Sequence, residues 1–421
     1  MRPRPFTALL IAALATGCGA ATPDAQSPAV PPGTSAGATS TVAGSASASG
    51  ASTPAAAFSD PPHTSDPTRA EDVPGYRGGS ARSGVMPGPG PIAAPVVRWS
   101  FQASAPIGSQ PVVAGGRVLV VATDGTVTSL DLATGATAWT ARLGVDADGS
   151  PAVFGGLLLV GADDGAHALA LDTGEPRWAN AVTGAVRGAP ALIGGVAVFA
   201  SMSGRAVGVD ALTGKVRWNV PLGAPNDTSV AAVDGTAVVG LTDGSAVALD
   251  PSSGATEWQT TVDAGARIGT PAIVGGRVLL ASLDEGGPDT RHITALDLTT
   301  GRIGWRFGSP GDRPSYTPAV ADGLAITEGE AGEVTALDET TGAVRWQTAE
   351  PGILEIVPAL VGSTVYGAAN GRFAFALDAT TGRELWRLPI KGVPFGPAIT
   401  GGLELLPTDT GLLYAVGGTV R

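Results

Sequence analysis

The sequence predicts an all-β protein, an eight-bladed β-propeller of four-stranded antiparallel blades that follows a disordered tether. Three observations lead there. The eight tryptophans, Trp99, Trp139, Trp178, Trp218, Trp258, Trp305, Trp346 and Trp386, stand 39–41 residues apart, with one interval of 47. Short apolar runs between them are separated by Gly-Gly, Asp-Gly and Thr-Gly pairs, which supply the positive φ that tight hairpin turns need. No amphipathic helical pattern of useful length appears after residue 18. A period near 40 with about four strands per repeat is that of a propeller blade.

Each repeat reads as four strands and three turns. The first strand begins near a proline, as in Pro111-Val112-Val113, and turns at Gly115-Gly116. The same turn recurs at Gly155-Gly156, Gly194-Gly195, Asp234-Gly235, Gly275-Gly276, Asp322-Gly323, Gly362-Ser363 and Gly401-Gly402. A second strand, such as Val118 to Ala122, turns at Asp124-Gly125 or its equivalents. The third strand ends in Leu-Asp, and a Thr-Gly turn delivers the fourth strand with its tryptophan. That third turn is the most specific signal: Asp131-Leu132-Ala133-Thr134-Gly135 leads to Trp139, and matching copies start at Asp210, Asp250, Asp297, Asp338 and Asp378. The copy from Asp172 to Trp178 reads as two residues shorter, and Ser253 stands for threonine in the copy that starts at Asp250.

Closure follows from what is unpaired. Trp99 has no such turn before it, and Phe395 to Val416 offers three strands with no tryptophan strand after them. Placing Val96–Gln102 as the fourth strand of the last blade covers both sheet edges. All eight tryptophans are then spent on architecture.

The Asp-Thr-Gly-Trp turn resembles the tryptophan-docking motif of the quinoprotein-like, or PQQ-like, propeller family, over residues 97–421. The resemblance implies that Asp and Thr cap the turn while the indole stacks between blades. Tyr76-Arg77-Gly78 to Arg82-Ser83-Gly84 resembles the arm that precedes the first blade there, and residues 73–96 are assigned to such an arm.

The N-terminus has its own logic. Arg2 and Arg4 precede an apolar stretch from Phe6 to Ala15, too short to span a bilayer. Ala15-Thr16-Gly17-Cys18 resembles a lipobox, which implies removal of residues 1–17 and acylation of Cys18. Cys18 is the one cysteine in 421 residues, so no intramolecular disulfide is possible. Residues 18–72, rich in Ala, Ser, Thr, Pro and Gly, cannot bury enough apolar surface to offset their ordering entropy and are expected to be a flexible tether. The formal charge of −12, with no basic run, excludes a nucleic-acid binder.

Function is expected between the repeats. Loops joining fourth to first and second to third strands share one face, and only that face varies from blade to blade. Its unrepeated residues include Arg187, Asp227, Arg267, Arg313, Tyr316, Glu328, Glu330 and Phe395. The longest departure from the repeat runs from Asp284 to His292. The family includes dehydrogenases that use pyrroloquinoline quinone. Those are longer, many carry two adjacent cysteines over the cofactor, and their quinone usually lies against a tryptophan. Cys18 and the fully committed tryptophans do not match, so no cofactor, no metal and no catalysis are expected. The lipobox, the blade count and the absence of catalytic parts resemble instead the BamB lipoproteins of outer-membrane protein assembly. That likeness implies a monomeric envelope scaffold that binds protein partners. The alternatives are a small-molecule or glycan receptor and a PQQ-dependent dehydrogenase.

Overall fold

The computed structural model describes residues 70–418, apart from 94, 182–183, 284–290, 309–315, 330–331, 351–356 and 371–372. Cys18, Arg313 and Glu330 lie outside the described residues, as does nearly all of the long insertion.

The described residues form eight antiparallel sheets, each built on four consecutive strands except the last, whose outer strand comes from the N-terminal side. The first blade comprises Val112–Ala114, Arg117–Val121, Thr126–Asp131 and Thr137–Arg142. The eighth comprises Ala398–Thr400, Leu403–Pro407 and Leu412–Gly417, with Val96–Gln102 as its outer strand. Val96 pairs with Gly417 and Gln102 with Leu412, so the two ends of the ring share one sheet. The short innermost strand of each blade lies beside that of the next, and the eighth beside the first. The fifth blade carries an extra two-residue strand, Arg267–Ile268, on the far half of Arg277–Leu283.

Burial explains the sequence pattern. Second and third strands are covered on both faces by neighbouring blades, so they read as unbroken apolar runs; every residue of Leu157–Ala162 is buried. Fourth strands face solvent on one side and alternate, as Thr137–Arg142 does. The core is a set of seams. Val112, Leu119 and Val121 of the first blade pack on Leu158 and Val160 of the second, and comparable clusters fill the gaps that follow.

The tryptophans latch these seams. The indole of Trp139 donates to the Leu171 carbonyl of the next blade at 3.2 Å, and Trp346 to that of Ala379 at 2.8 Å. Beneath each ring sits the turn glycine of the next blade, held at positive φ: a Cβ on Gly342 would lie 2.5 Å from Trp305 and one on Gly382 2.6 Å from Trp346. The last latch differs. Trp386 donates to the carbonyl of Pro91 in the N-terminal arm at 2.6 Å, since no ninth turn is there to receive it.

The second blade corrects one expectation. Its third turn is not shortened: Gly174 N–H bonds Ala170 at 2.8 Å, as Gly135 N–H bonds Asp131 at 2.8 Å. Ala170, not Asp172, occupies the position of Asp131. The carboxylate of Asp131 accepts from Thr134 N–H and Oγ1 at 3.0 and 2.7 Å. The second blade makes the same turn without that cap.

Candidate functional site: a sealed central funnel

The fourth-to-first loops converge on the ring axis and line one funnel of about 310 Å³. Five of the unrepeated residues singled out from the sequence meet in it: Arg187, Asp227, Arg267, Tyr316 and Phe395. Glu328 does not join them. It is fully buried on the second strand of the sixth blade, close to Gly367 and Phe375 of the seventh. Burial pushes its carboxyl well above the usual range, and the nearby Glu350 adds to this. A glutamate at the end of a strand reads like a loop charge; the inter-blade seam that covers it is a tertiary effect.

Charges on the funnel wall are compensated. Arg187 pairs with Asp148 and with Asp163, the latter at 2.9 Å. Arg267 pairs with Asp227 at 2.7 Å.

The base of the funnel is closed by the protein's own arm. Residues 73–91 visit the innermost strand of every blade in turn. Val73 bridges to Val113 and Gly75 to Ala152. Ser80 exchanges hydrogen bonds with the Leu192 backbone through its hydroxyl, and its carbonyl accepts from Ala232. The carbonyls of Ala81, Ser83 and Gly84 accept from Ile273, Val320 and Leu360, and Gly88 donates to Ile399. Tyr76 forms part of the funnel lining.

Two arginines fill the axis behind it. Arg77 and Arg82 are each only 1 % exposed. Both stand at positive φ, 54° and 56°, a backbone arrangement that costs a non-glycine residue about 1–3 kcal/mol. Arg82 donates to the carbonyls of Val230, Tyr76, Gly79, Ala189 and Pro190. Arg77 donates to those of Arg82 and Pro318. Among the described residues neither meets a carboxylate. Burial therefore pulls the Arg77 guanidinium down to about 10 and that of Arg82 to about 9, which leaves both charged at neutral pH.

A series of polar links between neighbouring blades lines part of the funnel above them. Gln110 N–H donates to Ser150 Oγ at 3.0 Å, Ala189 N–H to Ser229 Oγ at 2.9 Å, and Ser229 N–H to Thr270 Oγ1 at 3.1 Å. Thr317 Oγ1 donates to the Thr270 carbonyl. Hydroxyl residues ahead of the first-strand prolines, as in Ser150-Pro151, Thr270-Pro271 and Thr317-Pro318, were the available signal for these links.

The fold and the docking turns define the class: an eight-bladed propeller of PQQ-like repeats. The chain belongs to the family described as outer membrane protein assembly factor BamB, whose model matches residues 96–147, 124–287 and 289–417. Among solved structures, BamB from Moraxella catarrhalis is similar at 20 % identity and a TM-score of 0.66, over 77 % of this chain and 100 % of that one. The quinohemoprotein alcohol dehydrogenase of Comamonas testosteroni is similar at 17 % identity and a TM-score of 0.67, over 83 % and 81 %. A computationally designed protein, Ika8, has 16 % identity and a TM-score of 0.63, over 79 % and 100 %. At these identities the likeness is one of fold. No curated protein matches the sequence significantly.

The dehydrogenase likeness invites a test of fit. A quinone lying against a tryptophan would need an indole on the axis, but all eight latch the outer strands. A cation would need converging oxygen ligands. Asp148 and Asp227 are each engaged by an arginine, and among the described residues no three His, Cys, Asp or Glu side chains are grouped as a metal cage. The described residues do not fit a metal-assisted quinone site.

Proposed function

We propose that this protein is a non-catalytic scaffold of the cell envelope, held to a membrane through an acylated Cys18 and binding partner proteins at its funnel. One observation carries the reading most. The ring gathers the unrepeated Arg187, Asp227, Arg267, Tyr316 and Phe395 into one concave surface, while its own arm seals the base. Charged residues flanking aromatic anchors on a rigid frame suit recognition of a protein segment. The family's description as an assembly factor agrees with such a role. Among the described residues no helix is long and apolar enough to cross a membrane, which leaves the lipid as the proposed attachment.

The test is site-directed photo-crosslinking in intact cells. A crosslinker at Asp227 or Phe395, on the funnel, is expected to capture a defined envelope protein, and the same group at Gly276, on the opposite face, is not. Equal capture from both faces, or none from the funnel, refutes the reading. Stoichiometric binding of pyrroloquinoline quinone with dye-linked alcohol oxidation would overturn its non-catalytic part.

A further inference from the structure

The lining of the funnel is unbalanced in a way that the ring's stability does not require. Gln110 is 2 % exposed and belongs to the lining. Its Oε1 accepts the backbone N–H of Arg77 at 3.1 Å, but its Nε2 has no acceptor. The hydroxyls of Ser150, Ser229 and Thr270 each accept a backbone N–H. Among the described residues none of the three has an acceptor for its own proton. Four donor groups thus line one concave surface. Behind them lie Arg77 and Arg82, buried, charged and without a carboxylate. The Nη1 of Arg77 is likewise without a partner. Unpaired buried donors and uncompensated buried cations are both costly, and here they coincide at the funnel. The acids of the wall do not relieve them, because Asp148 and Asp227 are occupied by Arg187 and Arg267.

We propose that the funnel floor is an oxyanion site: it takes a carboxylate or phosphate group, which accepts from Gln110 Nε2 and the hydroxyls of Ser150, Ser229 and Thr270 and is held in the field of Arg77 and Arg82. An oxyanion offers several lone pairs to converging donors, and bonds to a charged acceptor are roughly twice as strong as neutral ones. Buried donors and cations that are fixed before binding cost little reorganisation. The site uses the same funnel as the proposed scaffold role, but it requires no partner protein.

The test uses the isolated propeller with its arm, at low ionic strength, titrated with inorganic phosphate in one arm and citrate in another, against chloride at matched ionic strength. Calorimetry is expected to show saturable one-to-one binding of at least one oxyanion and none of chloride. Saturation by phosphate alone assigns a phosphate group, and saturation by citrate alone a carboxylate. Gln110→Glu keeps the acceptor for Arg77 N–H and replaces the amide donor with a carboxylate beside the arginines. It is expected to lower affinity at least tenfold and to raise the melting temperature of the ligand-free protein, because it supplies the missing counter-charge. A second readout needs no variant: the Gln110 side-chain amide should shift on titration in the NMR spectrum of the wild-type protein. Responses to phosphate and citrate no larger than to chloride, or an unmoved Gln110 amide at saturation, would overturn the site. Such a failure leaves the crosslinking outcome untouched, so the two readings fail separately.

Discussion

The latch predicts a specific inequality between two glycines. Gly342 and Gly276 stand at nearly the same φ, +72° and +75°. An alanine at either is forced into a left-handed conformation at a cost of about 1–2 kcal/mol. The two differ in what the new methyl meets. At Gly276 nothing lies within 4 Å; at Gly342 the Cβ would sit 2.5 Å from Trp305 Cε3. Either the indole leaves its seat or the turn moves, and overpacking of that kind costs about 1–3 kcal/mol more. Moving the indole also threatens the 3.0 Å bond from Trp305 Nε1 to the Glu339 carbonyl. Gly342→Ala is therefore expected to lose about 2–5 kcal/mol and Gly276→Ala about 1–2 kcal/mol. Urea unfolding followed by tryptophan fluorescence measures both, the difference being read from the midpoints at a common slope. Equal losses would refute the idea that each turn glycine exists to receive the preceding blade's tryptophan, leaving turn geometry alone as its reason.

Three further outcomes are expected. Glu328 has both oxygens buried without a partner and its carboxyl raised by burial. The unfolded chain therefore releases that proton first, and stability should fall from about pH 4.3 upward by about 1.4 kcal/mol per pH unit until the folded group ionises. Glu328→Gln should remove its share of this slope in melting curves taken from pH 4 to 8, the equally buried Glu404 supplying the rest, and an unchanged slope would discount Glu328 as a source. Arg82→Met leaves the carbonyls of Val230 and Pro190 without their donor; at about 1–3 kcal/mol for each buried unsatisfied group, a large loss in melting temperature is expected. Proteolysis within residues 73–91 should rise with it, and an arm as resistant as in the wild type would show that Arg82 does not pin it. Ala170→Asp would restore the missing cap beside Thr173 and should stabilise the second blade by about 0.5–1 kcal/mol, whereas Asp172→Ala should be nearly neutral in the same unfolding assay.

The ring was legible because its parts are local and repeated. A turn glycine, a capping Asp and a tryptophan within nine residues are a self-contained physical unit, and the unpaired Trp99 was enough to locate the shared eighth blade. The second blade shows where local reading slips. Asp172 has the right chemistry, but only the hydrogen bond from Gly174 to Ala170 reveals which residue holds the capping position. The funnel was half legible. Arg187, Asp227, Arg267, Tyr316 and Phe395 stood out because they break the repeat. Gln110, Ser150, Ser229 and Thr270 did not, since an uncharged polar residue just ahead of a first strand is ordinary, and their meaning depends on which protons find acceptors across blades.

The arm is where those two levels meet. An eight-bladed ring has a wider axis than its short inner strands can fill, and here the filling comes from a segment with almost no secondary structure of its own. Its carbonyls and amides are satisfied by one inner strand after another, so it can be ordered only when all eight blades are in place. The converse also holds, because the eighth blade borrows its outer strand from residues 96–102, and Pro91 supplies the carbonyl that receives Trp386 of the seventh blade. Closing the ring and sealing the funnel are therefore one event. This accounts for two positive-φ arginines at the axis: glycine would suit the backbone better, but only a long donor-rich side chain reaches the carbonyls of three separate blades, as Arg77 and Arg82 together do at Pro318, Val230 and Pro190. The same choice leaves two positive charges buried beneath an open bowl, and the ligand chemistry of the funnel follows from how the ring is closed.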